Sequence, residues 1–362
     1  MLSLFKNLSF ATVVVIILGV TSCKKDSPVE EPDSAYVGTP YALVRPQPSN
    51  IYRKFPDSTF TKEGILLGRM LFWDPIVSSD SSLSCATCHN PQHAFTDGKQ
   101  FSINLSGPTK RNTPSIQNSI WMKQLFWDGR QRSLEDAAKD ALLDEQHFVA
   151  EQVVNRLEKQ ERYVQLFKKA FGRPGTITQD KIFRAIGMFM RTAISTNSNF
   201  DKSKRGMYSF TPEEQRGFDI FSTEKGDCFH CHTDGPYLTF THNGFENNAL
   251  DSVATLADFK DIGLGKVTGS TDDYGKFKVP TVRNLSYTAP YMRDGRFQTL
   301  EQVVNFYSDS LHYSPNVSPN MKKINVGGLH LTNQEKSDLI AFLKTLDDPS
   351  FVSDTAFSNP FK

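Results

Sequence analysis

Cys85-Ala86-Thr87-Cys88-His89 and Cys228-Phe229-His230-Cys231-His232 decide how this chain folds. Each is C-x-x-C-H, the attachment pattern of c-type haem. Two thiols about one helical turn apart can each add to a vinyl group of a porphyrin. The adjacent imidazole then lies under the ring as an axial ligand of the iron. A lone C-x-x-C also reads as a redox dithiol or half a zinc site. Two copies, each followed by histidine and together using four of the five cysteines, select two covalently bound haem c groups. His230 has no required role in the motif and reads as a spacer.

The fifth cysteine, Cys23, belongs to export. Residues 1–22 read as a signal peptide: Lys6 precedes an apolar run from Phe10 to Val20, too short for a permanent span. Val20-Thr21-Ser22-Cys23 resembles a bacterial lipobox, which implies cleavage before Cys23 and its lipidation. An ordinary secretory signal is the alternative. Residues 23–50, with Pro28, Pro32, Pro40, Pro46 and Pro48, read as a lipid-anchored linker. The expected location is the bacterial cell envelope, periplasm-facing or surface, anchored to a membrane through lipid.

The chain has 362 residues with 41 basic and 40 acidic side chains, so no basic excess marks it for nucleic acid. The 28 phenylalanines argue for a substantial core. Thr211-Pro212-Glu213-Glu214 forms a capping box, Ser133 and Thr178 precede apolar faces at helical spacing, and Thr332 with Glu335 forms a second box. Alternating strand patterns are scarce, and residues 262–275 and 313–328 read as long surface loops. The expected fold is mainly α: two cytochrome c-like haem domains with long loops, residues 51–205 and 206–362. The helical pattern breaks between them at Ser195, Asn197, Ser198 and Asn199.

Several blocks carry a more specific resemblance. Gly68-Arg69-Met70-Leu71-Phe72-Trp73-Asp74-Pro75 precedes the first motif and Ala94-Phe95-Thr96-Asp97-Gly98 follows it. Then come Arg111-Asn112-Thr113-Pro114, Phe126-Trp127-Asp128-Gly129-Arg130, Val279-Pro280-Thr281-Val282-Arg283-Asn284 and Ala289-Pro290-Tyr291-Met292-Arg293-Asp294-Gly295. In order and spacing the chain resembles the bacterial di-haem cytochrome c peroxidases and the wider family that includes MauG.

That resemblance implies unequal haems. The one on His89 is the peroxidatic centre, where hydrogen peroxide is reduced. The one on His232 receives electrons from a small cytochrome or cupredoxin. Met292 falls where the family places the sixth ligand of the second iron, and a thioether there raises the potential. MauG-type members carry tyrosine at that place, and Tyr291 is one residue away. Trp127 matches the tryptophan between the haems. Asn112 matches a ligand of a calcium ion, together with backbone carbonyls just before the Val279-Pro280 block. Homodimers are usual in the family.

The distal residues depart from the pattern. A glutamate followed by methionine is expected twenty residues after Trp127, and His147-Phe148 stands there instead. A glutamine expected ten residues after Trp127 is Ala137. His147 is then the candidate proton carrier, or a ligand that blocks the iron, or a surface residue; Glu145 is the substitute. Loop 98–110 holds no histidine, and His93 is too close to His89 to reach the other face, so no reductive activation is expected. The rival functions are a MauG-like oxidase acting on a partner protein and a non-enzymatic di-haem electron carrier.

Overall fold

Short polar side chains start the helices where the sequence predicts them. Thr211 accepts from the Glu214 N–H, Glu214 caps back, and Pro212 opens the Pro212–Phe221 helix. Ser133 caps Leu134–Glu145, Thr178 caps Gln179–Met190, and the Thr332/Glu335 box opens Asn333–Lys344. The computed structural model describes residues 38–43, 60–172, 175–233 and 239–362, all within one unit spanning Tyr36–Lys362. The predicted signal peptide, Cys23 and most of the linker lie outside the described residues. Among the described residues, sheet is limited to two antiparallel ribbons, Ile103–Asn104 with Gly107–Pro108 and Phe245–Glu246 with Phe277–Lys278. The fold is mainly α, as expected.

Two crossed helix pairs form the frame. Lys62–Trp73 packs on Gln179–Met190, and Pro212–Phe221 packs on Asn333–Lys344. Each crossing depends on a glycine. A Cβ on Gly68 would lie 1.9 Å from the Ala185 carbonyl oxygen, and one on Gly217 would lie 2.0 Å from that of Asp338. Leu71, Phe72, Phe95 and Phe189 sit in the first core, and Phe221, Phe240, Phe342 and Leu343 in the second. Burying each such side chain contributes about 1.5–3 kcal/mol. Near the chain end, Phe351 and Phe357 pack on Phe95 in the first core, and Trp73 donates to the Phe357 carbonyl at 3.0 Å.

The segment where the helical pattern breaks is closely bonded to its surroundings. Ser198 caps a short helix, Asn199–Lys204, whose Asp201 forms a bidentate pair with the fully buried Arg283 (2.6 and 2.9 Å). Ser195 is fully buried, and its backbone bonds Asn118 through both N–H and carbonyl. Its hydroxyl accepts from Asn284 at 2.9 Å.

Asn118 and Asn284 reveal a repeated backbone plan. From Thr113 to Leu134 each residue has a counterpart 166 positions later: Pro114 with Pro280, Asn118 with Asn284, Gly129 with Gly295. Both asparagines are left-handed (φ 54° and 59°) and each starts a one-turn helix, Ser119–Trp121 or Leu285–Tyr287. A tight loop follows, closed by the bridge Leu125–Gln131 or Tyr291–Phe297. Each loop holds a left-handed non-glycine, Phe126 (φ 64°) or Met292 (φ 73°), and a left-handed glycine three residues on. Ser133 or Thr299 then caps the next helix.

Candidate functional site

The first cysteine pair brackets one helical turn, Cys85–Cys88, with Thr87 Oγ1 accepting from the Ser84 N–H at 3.0 Å. The second closes a similar turn through His232 N–H to the Cys228 carbonyl at 2.8 Å. All four thiols are free. Burial pushes Cys85, Cys228 and Cys231 up to about 12 and Cys88 to about 11.

Each motif histidine is held alike. His89 Nδ1 donates to the Phe95 carbonyl at 2.9 Å and His232 Nδ1 to the Phe240 carbonyl at 3.2 Å. A carbonyl only accepts, so the proton sits on Nδ1 and the Nε2 lone pair is left for a metal. Burial lowers both imidazoles, His232 to about 4, so both stay neutral ligands. Phe95 and Phe240 are themselves left-handed (φ 64° and 51°), a turn that points each carbonyl back at its histidine. Sequence patterns carry no signal for that.

His89 opens on a cavity of about 1320 Å3 and His232 on one of about 230 Å3. Trp127, Lys278, Tyr291 and Met292 belong to the walls of both. The Trp127 indole donates to the Asn112 carbonyl at 2.8 Å, and the Trp127 carbonyl accepts from the Lys278 N–H at 2.8 Å. Free thiols beside oriented neutral imidazoles, each facing a cavity, fit a covalently held haem at each motif.

Met292 lies with His232 in the smaller cavity. Its sulfur accepts from Asn248 Nδ2 at 3.7 Å, and Asn248 also donates to the Tyr307 hydroxyl at 3.0 Å. A thioether has two lone pairs, so this contact leaves one for iron. Asn248 was invisible to sequence reasoning, being one amide in a loop without a motif. Tyr291 is tied elsewhere: its hydroxyl donates to the Leu285 carbonyl at 2.8 Å, and burial pushes its phenol up to about 12.

Around the larger cavity the distal candidates separate. Glu145 ends its helix in the cavity wall, and Ala137 lies in the same wall. Burial raises the Glu145 pKa, Asp144 and Asp140 add to that, and Arg130 opposes it. Gln146, which sequence reasoning passed over, is buried beside it. Its Nε2 is 4.0 Å from Cys85 Sγ and its Oε1 has no partner. His147 does not join them. Past the helix end its left-handed backbone (φ 49°) turns the ring outward, where Nε2 meets Ser106 Oγ at 2.7 Å. It is exposed and absent from the cavity wall, as is His93.

Phe126 lines the His89 cavity at the loop position that Met292 holds beside His232. Arg130 covers its ring at 3.6 Å. Asn112, the calcium candidate, is buried with its amide nitrogen donated to the Lys99 and Gln100 carbonyls (2.8 and 3.3 Å). His230 is more than a spacer: it meets Glu224 at 3.1 Å, Asp227 at 3.2 Å and Lys322 at 3.0 Å on the surface.

A mainly helical fold with two such sites defines a di-haem c-type protein. The family model for di-haem cytochrome c peroxidase matches residues 62–209. The methylamine utilization protein MauG of Methylophilus methylotrophus is 34% identical over 294 residues, covering 79% of this chain and 83% of that one. Cytochrome c551 peroxidase of Nitrosomonas europaea is 33% identical over 318 residues, covering 82% and 86%. The crystal structure of a MauG-like protein associated with microbial copper homeostasis superposes with a TM-score of 0.77 at 32% identity, over 94% of this chain and all of that one. The chain belongs to the di-haem cytochrome c peroxidase and MauG family, oxidoreductases with two c-type haems.

Proposed function

We propose that this protein reduces hydrogen peroxide to water at the His89 site, using electrons delivered one at a time through the His232 site. The observation that carries this reading is the inequality of one loop position. Met292 offers sulfur to the second site, whereas Phe126 offers the first no ligand atom. A bound haem would supply iron that accepts and donates electrons. Cys85 and Cys88, and likewise Cys228 and Cys231, would hold it by thioether bonds, with His89 and His232 as ligands of its iron.

Peroxide takes up two electrons and two protons to give two waters. Glu145, held above the usual carboxylate range by burial, carries protons in the cavity. His147, the first expectation, faces away, so the role passes to its neighbour. Trp127, in both walls, relays electrons between the sites and can hold one oxidising equivalent. Asn112 would be a ligand of a structural calcium ion, and no step depends on it. Residues 51–205 serve as the peroxidatic half and 206–362 as the electron-entry half.

The donor is a small cytochrome or cupredoxin. Export by residues 1–22 and lipidation of Cys23 place the protein on a membrane of the bacterial envelope, facing the periplasm or the surface, as a homodimer. The test is steady-state consumption of peroxide with a reduced small cytochrome. Turnover supports the reading. Failure to oxidise the donor, with peroxide-dependent oxidation of a partner protein instead, supports a MauG-like oxidase, the second reading, to whose namesake the chain is 34% identical.

A further inference from the structure

We propose that the ammonium group of Lys278 is the fixed counter-ion of a propionate carboxylate on the haem of the His232 site. This rests on the reading that a haem is held there.

Lys278 ends the Phe277–Lys278 strand and belongs to the walls of both cavities. Its Nζ lies 3.3 Å from Met122 Sδ and 3.5 Å from the Val279 carbonyl oxygen. Among the described residues it forms no ion pair. The arginines in these walls all do, and the other lysines there, Lys110, Lys260, Lys266 and Lys323, are exposed to water. Arg111 pairs with Asp128 and Asp261, both at 2.7 Å, Arg130 with Asp140 at 2.5 Å, and Arg293 with Asp251. A charge withdrawn from water without a partner is strongly disfavoured. An ammonium left bare in a cavity wall therefore marks where an anion belongs.

The repeated backbone plan says which half the charge serves. Asn112 stands 166 positions before Lys278 and is neutral, with its amide nitrogen satisfied by two carbonyls. The cation was placed in the second half alone. There it shares the wall of the smaller cavity with His232. The group expected at that site carries two carboxylates. One of them, against Lys278, would complete an ion pair next to Trp127, whose carbonyl holds the Lys278 backbone. A positive charge near the iron favours the ferrous state, so the pair raises the potential of the electron-entry haem.

The test is a spectroelectrochemical titration of the di-haem protein as wild type, Lys278→Gln and Lys278→Arg, with the haem content of each determined first. The potential of the second haem is expected to fall in Lys278→Gln and to stay near wild type in Lys278→Arg. An unchanged potential in Lys278→Gln, or an equal fall in both variants, overturns the proposal. If Lys278→Gln takes up fewer than two haems, resonance Raman of Lys278→Arg decides. The propionate-bending band of the second haem shifts when guanidinium replaces ammonium, and an unmoved band overturns the assignment. Wild-type protein with two haems and no such effects sinks the Lys278 role alone; wild type with one haem or none sinks the reading beneath it.

Discussion

Phe126 and Met292 occupy the same position in a loop that the chain builds twice, each left-handed and three residues before a left-handed glycine. The same backbone thus presents sulfur to one site and a phenyl ring to the other. On the proposed function, that exchange is what makes the two sites unequal.

Phe126→Met should therefore close the first site. Ferric protein carrying this variant is expected to lose its high-spin absorption and gain the long-wavelength band of methionine-ligated iron. Its reaction with peroxide should slow at least about a hundredfold, since an occupied sixth position excludes the substrate. A wild-type spectrum in a variant with both haems would show that position 126 does not face the iron.

Proton transfer separates Glu145 from His147. A positioned acid–base group contributes roughly 10²–10⁴ in rate. Glu145→Gln should lower kcat for peroxide by that order, while His147→Ala, which removes only a surface contact with Ser106, should leave it within about twofold. Steady-state assays of the two variants check this, and the reverse ranking would restore His147.

The buried Asp201–Arg283 pair ties the Asn199–Lys204 helix to the Val279–Asn284 block. Burial raises the Asp201 pKa, but the Arg283 charge and hydrogen bonds outweigh it and hold the carboxyl below its usual range. A carboxylate with a lowered folded pKa adds stability above its unfolded value of about 3.9, and loses it as pH falls through the folded value. Asp201→Asn should cost about 3–5 kcal/mol near neutral pH by taking the carboxylate away from the buried Arg283 charge. The gap to wild type in urea unfolding should narrow only below about pH 4.

Gly217→Ala should destabilise the second helix crossing by about 1–3 kcal/mol, because the added methyl group has no space beside Asp338. Thermal unfolding of the holo-protein measures it, and an unchanged midpoint would mean that the helices can part without cost.

Much of this was legible in the sequence because it is local. Cap residues such as Thr211 and Ser133 act within one turn, and C-x-x-C-H names its own chemistry. The repeat was also legible, in Pro114/Pro280 and Asn118/Asn284, but only once the constant spacing is sought. The outward turn of His147 was not. Counting from Trp127 assumes an unbroken register, and a helix end at Glu145 followed by a left-handed residue reverses the side chain. The hold of Asn248 on Met292, 44 residues away, and the unpaired state of Lys278 are tertiary facts with no local pattern.

The central claim is that one site is open and the other closed by Met292. Low-temperature electron paramagnetic resonance of the fully ferric protein, before and after one equivalent of peroxide, tests it most directly. One high-spin and one low-spin signal, with the high-spin signal lost on mixing and no prior reduction needed, is the predicted result. Two low-spin signals that peroxide leaves unchanged would contradict it and make the protein an electron carrier.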